Sequence, residues 1–234
     1  MRLEHLRESA ARNHFFPRAL PKDPSTKLFI FMVAPNPTRV RLVLAEKRAA
    51  GAVIDLPEVT VNLLEGEQRK PEHLARNPRG KLPVLELDDG SYLTESTAII
   101  EYLEERFPEV PMLGSNAEER ARNRELERLA DAGVLLPVAH IVHATNSPVG
   151  ISPNPGAAEF ARIQLPEVLA MLEEKLADGR PFLGGERPMV ADCTLAAAFQ
   201  FARFREIDLS LPPHLARWDH DYREREPARA VLAF

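Results

Sequence analysis

Within the first half of the chain an unbroken apolar run gives way to a proline-flanked break, a helical stretch and then an alternating run. Leu28-Phe29-Ile30-Phe31-Met32-Val33 contains no polar residue, as expected for a strand buried on both faces. Ala34-Pro35-Asn36-Pro37 interrupts it and opens a helix, where Val40, Leu42, Val43 and Leu44 are interspersed with Arg39, Arg41, Glu46 and Lys47 as far as Gly51. Glu58 to Leu63 reads as a second strand, with Val59, Val61 and Leu63 alternating. Strand, crossover helix and strand make a βαβ unit, so the two strands should lie parallel with a right-handed connection.

A polar stretch from Glu65 to Gly80 leads to Leu82–Leu87, a three-residue loop at Asp88-Asp89-Gly90, and Ser91-Tyr92-Leu93, which together read as a hairpin. A helix starting near Thr94 should carry Ile99, Ile100, Leu103 and Phe107 inward. Pro108 and Pro111–Gly114 mark a linker, after which the pattern is helical throughout. Residues 118–145 predict one long helix, with Leu126, Leu129, Val134 and Leu136 on its apolar side and a kink at Pro137. Residues 157–178 predict another, with Leu165, Leu169, Leu172 and Leu176 inward and a break at Pro166. Val190–Phe204 is apolar or small nearly all round, so it belongs at the centre of a domain, and a last helix near Leu215–Arg225 carries Trp218. The expected organisation is an extension over 1–26, a mixed α/β domain over 27–110, a linker over 111–118 and an all-α domain over 119–234.

The chain of 234 residues is long enough for two modest domains. Its formal charge of −5 argues against nucleic acid as the main partner. No run of about 18 apolar residues is present, which argues against a membrane span. The single cysteine, Cys193, excludes an internal disulfide framework and a Cys-rich zinc site, and fits a reducing cytoplasm. Residues 1–26 lack the apolar middle of a secretory signal, and Glu4 and Glu8 weaken a transit-peptide reading of their arginines.

Four segments in this order carry a family resemblance: Ala34–Leu42, Asn77-Pro78-Arg79-Gly80-Lys81-Leu82-Pro83-Val84-Leu85, Leu93–Leu103 with its Glu95-Ser96 pair, and Val190–Leu195. The chain resembles the cytosolic glutathione transferases over about Leu28 to Phe204. That resemblance implies a thioredoxin-like βαβ–ββα domain that holds glutathione as co-substrate, followed by an all-helical domain that presents a second substrate. Ser96, at the head of a helix where free N–H groups and the dipole favour an anion, would hold the γ-glutamyl carboxylate, and Glu95 would face the ammonium. Thr94 or Ser96 can equally serve as a helix cap. A cis Leu82-Pro83 bond would turn the Leu82 N–H and C=O toward the cysteine of glutathione like an added strand; without the resemblance, Pro83 reads as the start of an edge strand. Gln68 and Lys81 resemble positions that reach the glycine end.

Activation of the thiol is the chemical core, because a thiol of pKa about 8.5 is only a few per cent thiolate at pH 7. Serine-type members place a hydroxyl where this chain has Ala34. Two residues on, Asn36 can donate its amide to a thiolate, as in Nu-like bacterial members with Asn here, some of which act on disulfides of glutathione. Asn36 followed by Pro37 also has the form of a helix cap with proline at the first position. Asp192 lacks the Ser or Thr of a capping box three residues earlier, where Met189 stands, so it reads as a folding residue bonded to the preceding backbone. Cys193 on the same helix reads as buried and inert. His140 and His143 lie at i, i+3 with no third ligand nearby; no metal is assigned, and they are expected to line the second-substrate pocket with Val134, Leu136 and Val138. The expected function is a cytoplasmic, detoxification-type transferase moving glutathione to an electrophile or a disulfide, with glutathione-dependent disulfide reduction or a non-catalytic binding module as alternatives. The resemblance also implies a homodimer in which an acidic residue of the partner, at position 127 or 131, completes the site.

Overall fold

The computed structural model describes residues 26–234, so the extension expected over 1–26 lies, apart from Thr26, outside the described residues. Strand β1 (Lys27–Ile30) is followed by α1 (Pro35–Ala49), β2 (Glu58–Thr60), α2 (Pro71–Leu74), β3 (Val84–Glu86), β4 (Tyr92–Thr94) and α3 (Ser96–Arg106). The sheet order is β2-β1-β3-β4. β1 and β2 are parallel, with Phe29 opposite Val59, while β1–β3 and β3–β4 are antiparallel, with Phe29 opposite Val84 and Leu85 opposite Leu93. Because side chains alternate along a strand, Leu28, Ile30 and Leu85 join the main core with Val40, Ile99 and Leu103, whereas Phe29, Val61, Leu82 and Val84 form a small cluster of their own.

Four of the charged residues of α1, Arg39, Arg41, Glu46 and Lys47, are buried, and each has a partner. Arg41 pairs with Glu58 at 2.8 Å, Lys47 pairs with Glu104 at 2.7 Å and donates to the carbonyls of Phe107 and Val110, and Glu46 pairs with Arg225. Glu104 in turn accepts the backbone N–H groups of Met112 and Leu113 at 2.9 Å, which fixes the link into the helical part. The helix is thus enclosed between α3 and the helical part, and its burial is possible because its ions are matched.

The helical part comprises α4 (Ala117–Ala130), α5 (Leu136–Thr145), α6 (Pro155–Leu176), α7 (Val190–Phe204), α8 (Pro213–Arg223) and α9 (Glu226–Arg229). The single helix expected over 118–145 is divided by a π-helical stretch, Asp131–Leu135, where the Leu136 N–H bonds the Asp131 carbonyl. Pro137 has no N–H to offer one turn back, and the wider turn takes up that loss. The extra residue rotates the helical phase, so Leu135 enters the core while Leu136, expected inward, is 45% exposed and Leu129 is only half-buried. The break expected at Pro166 is absent: α6 runs through it, with Pro166 on the exposed face, where water can satisfy the carbonyl that the proline leaves unbonded. Leu165, Leu169, Leu172 and Leu176 are buried, as their spacing requires.

α7 packs against α1 at the centre of the molecule. Its head is tied down by Asp192, whose carboxylate accepts from the backbone of Leu183 and Met189 and from Trp218 Nε1, all at 2.9 Å. Met189 contributes no side-chain cap. Burial pushes the Asp192 carboxyl up to about 6, against the pull of these three donors. Cys193 is fully buried, with Tyr222 OH donating to its sulfur at 3.6 Å, and burial raises its thiol well above the ordinary range.

Candidate functional site

The turn between β1 and α1 brings Asn36 to the head of the helix. Ala34 occupies the cap position without a side-chain bond, followed by Pro35, Asn36 and Pro37 in the first turn. The alternative role for Asn36 as the cap is therefore not the one adopted. Two of the first three helical residues are prolines, so Asn36 alone supplies a free backbone N–H there. Thr38, the next residue, bonds the Ala34 carbonyl at 3.0 Å.

Asn36 reaches across to the head of α3. Its Oδ1 accepts from the Ser96 hydroxyl at 3.0 Å. Ser96 Oγ in turn accepts from Arg39 Nε at 2.9 Å and Nη2 at 2.6 Å. Arg39 is only 4% exposed, and its Nη1 pairs with Glu127 at 3.1 Å and Asp131 at 3.0 Å. Burial pushes the Glu127 carboxyl up, Arg39 pulls it down, and Asp131 adds to the rise. Both acids expected to serve a partner subunit are thus engaged by an arginine of their own chain. Glu127 is buried beneath it, with Thr194 as a further donor at 3.4 Å.

Glu95 precedes Ser96 as the cap residue of α3, with φ 68° and ψ 114°, a left-handed conformation that is costly for a residue with a Cβ. Neither Thr94 nor Ser96 caps this helix, and the first N–H groups of α3 remain open to a ligand. The Glu95 carboxylate is exposed and pairs with Arg79 at 2.8 Å; such a surface pair is weak and readily exchanged for another cation.

The Leu82–Pro83 peptide bond is cis. The next residue, Val84, lies opposite Thr94 across the β3–β4 ladder, so the Pro83 turn adjoins Glu95 and Ser96. The preceding carbonyl, that of Lys81, accepts from Asn77 Nδ2 at 3.0 Å and lies 3.1 Å from His73 Nε2. Gly80 has φ +60°, and a Cβ there would stand 3.0 Å from the Gln68 carbonyl oxygen, so a side chain at this close approach would be both strained and crowded. Gln68, Lys81, Leu82 and Pro83 are thereby gathered at the start of β3. Gln68 is buried, with Oε1 unpaired, while Lys81 is exposed.

The two histidines singled out by the sequence lie on α5. His143 is half-buried, its ring 5.9 Å from Phe201 and Nδ1 3.1 Å from Ser147 Oγ; burial lowers its pKa, and the charges of Lys81 and His140 add to that. His140 is exposed. Val134 and Val138, expected to line the pocket with them, are fully buried in the core, and the π-helical stretch turns Leu136 outward. Among the described residues, no group of three or more His, Cys, Asp or Glu is placed to hold a metal ion, and no helix is long and apolar enough to cross a membrane.

Arg39, His73 and Asn77 were not singled out by the sequence. Arg39 lies within a run of alternating charges that looks like a helix surface. His73 and Asn77 carry no motif of their own beyond the Asn-Pro turn.

Two family profiles match this chain: the glutathione S-transferase N-terminal domain over residues 28–111 and the glutathione S-transferase C-terminal domain over 121–223. Maleylacetoacetate isomerase of Pseudomonas aeruginosa is 32% identical over 198 residues, covering 82% of this chain and 88% of the relative. Glutathione S-transferase 2 of Saccharomyces cerevisiae is 32% identical over 212 residues, covering 85% of each. The crystal structure of a glutathione S-transferase domain-containing protein from Marinobacter aquaeolei VT8 superposes with a TM-score of 0.77 at 33% identity, covering 86% of this chain and 99% of that one.

Proposed function

Because the chain belongs to the glutathione S-transferase family, we propose that it binds glutathione across Pro83 and the head of α3, stabilises the thiolate at the head of α1, and transfers it to an electrophile or a disulfide. The observation that carries this reading is the pair formed by Ser96 and Arg39. The hydroxyl stands at an open helix N-terminus with a buried guanidinium 2.6 Å behind it. A carboxylate entering there meets free N–H groups, a hydroxyl and a positive charge together. Glu95 then exchanges Arg79 for the ammonium, and the Leu82 backbone takes the cysteine of glutathione. Lys81, with Gln68 beside it, takes the glycine carboxylate.

Asn36 supports the chemical step. With Oδ1 held by Ser96, its NH₂ group remains a donor, and the backbone N–H of Asn36 is the free amide of that turn. Two donors at a helix head lower a thiol pKa. The thiolate then attacks carbon, expelling a leaving group, or attacks a disulfide sulfur, expelling the other thiolate. Residues 27–110 serve as the glutathione-holding domain and 119–234 as the second-substrate domain of a cytoplasmic homodimer.

A second reading, cis–trans isomerisation of an unsaturated carboxylic acid, is favoured by the name of the Pseudomonas aeruginosa relative and by one feature of this chain. The charges of Lys81 and His140 both act on His143, so cationic side chains gather where an anionic substrate would be held. The thiolate adds to one carbon of the double bond, the resulting single bond rotates, and the thiolate departs, so glutathione is returned unchanged.

The decisive experiment is calorimetric titration of the full chain with reduced and oxidised glutathione, on wild type and Ser96→Ala. Saturable binding that Ser96→Ala weakens about 10- to 100-fold, the worth of a hydrogen bond to a charged group, supports the site. No binding of either form by the folded protein overturns it. Turnover of a haloarene, a glutathione mixed disulfide and a cis-unsaturated diacid then separates the reaction classes.

A further inference from the structure

The side chain of Gln200 is fully buried on α7, and both ends of its amide are bonded to parts of the chain far away in sequence. Nε2 donates to Thr38 Oγ1 at 3.1 Å, and Oε1 accepts the backbone N–H of Ala233 at 2.6 Å. Thr38, itself fully buried, donates its hydroxyl to the Met32 carbonyl at 3.2 Å, while its N–H bonds the Ala34 carbonyl at 3.0 Å. Thr38 therefore clamps both sides of the turn that leads into Asn36. The segment Val231–Phe234 has two further anchors: Arg41 Nη1 donates to the Val231 carbonyl at 3.3 Å, and the Phe234 ring lies 5.6 Å from that of Phe204.

A buried amide is tolerated only when both its ends are matched, because an unmatched end carries the full desolvation cost. Here one end is matched by the thiol turn's helix and the other by residue 233. Moving either partner leaves the other facing an unsatisfied group, so the two segments hold their positions together.

We propose that Val231–Phe234 is a strap which, through Gln200 and Thr38, fixes the orientation of the Ala34–Asn36 turn, making Gln200 and Thr38 positioning residues for thiol activation. The functional half of this proposal rests on the glutathione reading above; the mechanical half does not. Neither residue touches the thiol. Each acts by keeping the Asn36 donors aimed at it.

Hydrogen exchange on the full chain tests the mechanical half without ligand. Ala233→Pro removes the N–H that Gln200 accepts, at a site outside the core. It should speed exchange of the Ala34 and Thr38 amides about three- to tenfold, the effect of losing one hydrogen bond, while the β3–β4 hairpin is unchanged. Thr38→Val should do the same, and Thr38→Ser should restore protection. With glutathione bound, Ala233→Pro and Thr38→Val should raise the thiol pKa, read from the pH dependence of thiolate absorbance, with the glutathione Kd changed less than about twofold. Exchange that quickens only at residues 231–234 after Ala233→Pro overturns the strap. Coupled exchange in a protein that binds no glutathione would uphold the strap and overturn the glutathione reading instead. Coupled exchange with an unmoved thiol pKa would overturn the positioning role.

Discussion

The hydroxyl of Ser96 donates to Oδ1 of Asn36 at 3.0 Å while its oxygen accepts two N–H groups of Arg39. The expected carboxylate anchor and the expected thiol partner, sixty residues apart in sequence, are thereby members of one hydrogen-bonded chain. Its orientation has a consequence: because the oxygen of the Asn36 amide is occupied, its nitrogen is left as a donor.

Asn36→Ala removes that donor and frees the Ser96 hydroxyl, which stays held by Arg39, to turn to the carboxylate. The bound thiol pKa should rise by about one to two units, the equivalent of a charge-assisted hydrogen bond, with the glutathione Kd little changed. Asn36→Asp should raise it at least as far, since it replaces the donor with a negative charge. Thiolate absorbance against pH, alongside calorimetry, checks both. A fall in affinity with no change in thiol pKa would instead assign Asn36 to the anchor alone.

Arg39 joins the two halves of the molecule through Glu127 and Asp131. Arg39→Met leaves two acids facing each other, one of them buried, and should cost about 3–5 kcal/mol at pH 7 in chemical denaturation. Burial already raises the Glu127 pKa, and removing Arg39 raises it further. A carboxyl whose folded pKa lies above its unfolded value contributes stability below the unfolded pKa and loses it as pH rises through the folded one. The deficit of Arg39→Met should therefore shrink on acidification, and Glu127→Gln in that background should recover part of it at pH 7.

The order of elements was legible because it depends on the spacing of apolar residues: the parallel β1–β2 pair, the hairpin and the all-round apolar α7 follow from patterns that few folds can satisfy. The roles given to Ser96, Glu95 and Pro83 come only from resemblance, since a Thr-Glu-Ser-Thr string by itself is equally a helix cap; of these, the structure shows the cis bond at Pro83. Three features could not be read. The charges of α1 gave no sign of burial, because their partners Glu58, Glu104, Glu127, Asp131 and Arg225 come from elsewhere in the chain. The π-helical stretch before Pro137 shifted the phase of α5, so the inward positions counted from α4 missed Leu135 and took in Leu136. The roles of His73 and Asn77 rest on the Lys81 carbonyl, a backbone atom with no trace in the residue type.

Asp192 offers a test of stability against pH that is independent of the ligand site. Burial raises its pKa to about 6, above the ordinary value of 3.8. Its contribution to stability is therefore greatest below about pH 4 and is lost as pH rises toward 6. Asp192→Asn, which cannot titrate and opposes an NH₂ group to backbone donors, should be less stable than wild type at every pH. Its deficit should widen as pH is lowered from 7 to 4 in denaturant titrations. A deficit that narrows on acidification would mean that the three N–H donors outweigh burial and hold the carboxylate below its ordinary pKa.

Gly133 lies in the π-helical stretch against α6, and a Cβ there would stand 2.6 Å and 2.9 Å from the two γ-carbons of Val168. The contact is between side-chain branches stiff at χ1 and a backbone held by its neighbours, so neither can easily give way. Gly133→Ala should destabilise the protein by about 1–3 kcal/mol through overpacking, in spite of alanine's better helix propensity. Val168→Ala removes the γ-carbons and should itself cost about 1–2 kcal/mol from lost burial. If the clash is the cause, the double variant should be more stable than the sum of the two single losses allows, a coupling read from a double-mutant cycle of denaturant unfolding. Additive losses would place the cost of Gly133→Ala in the backbone of the π-helical stretch instead of its packing on α6.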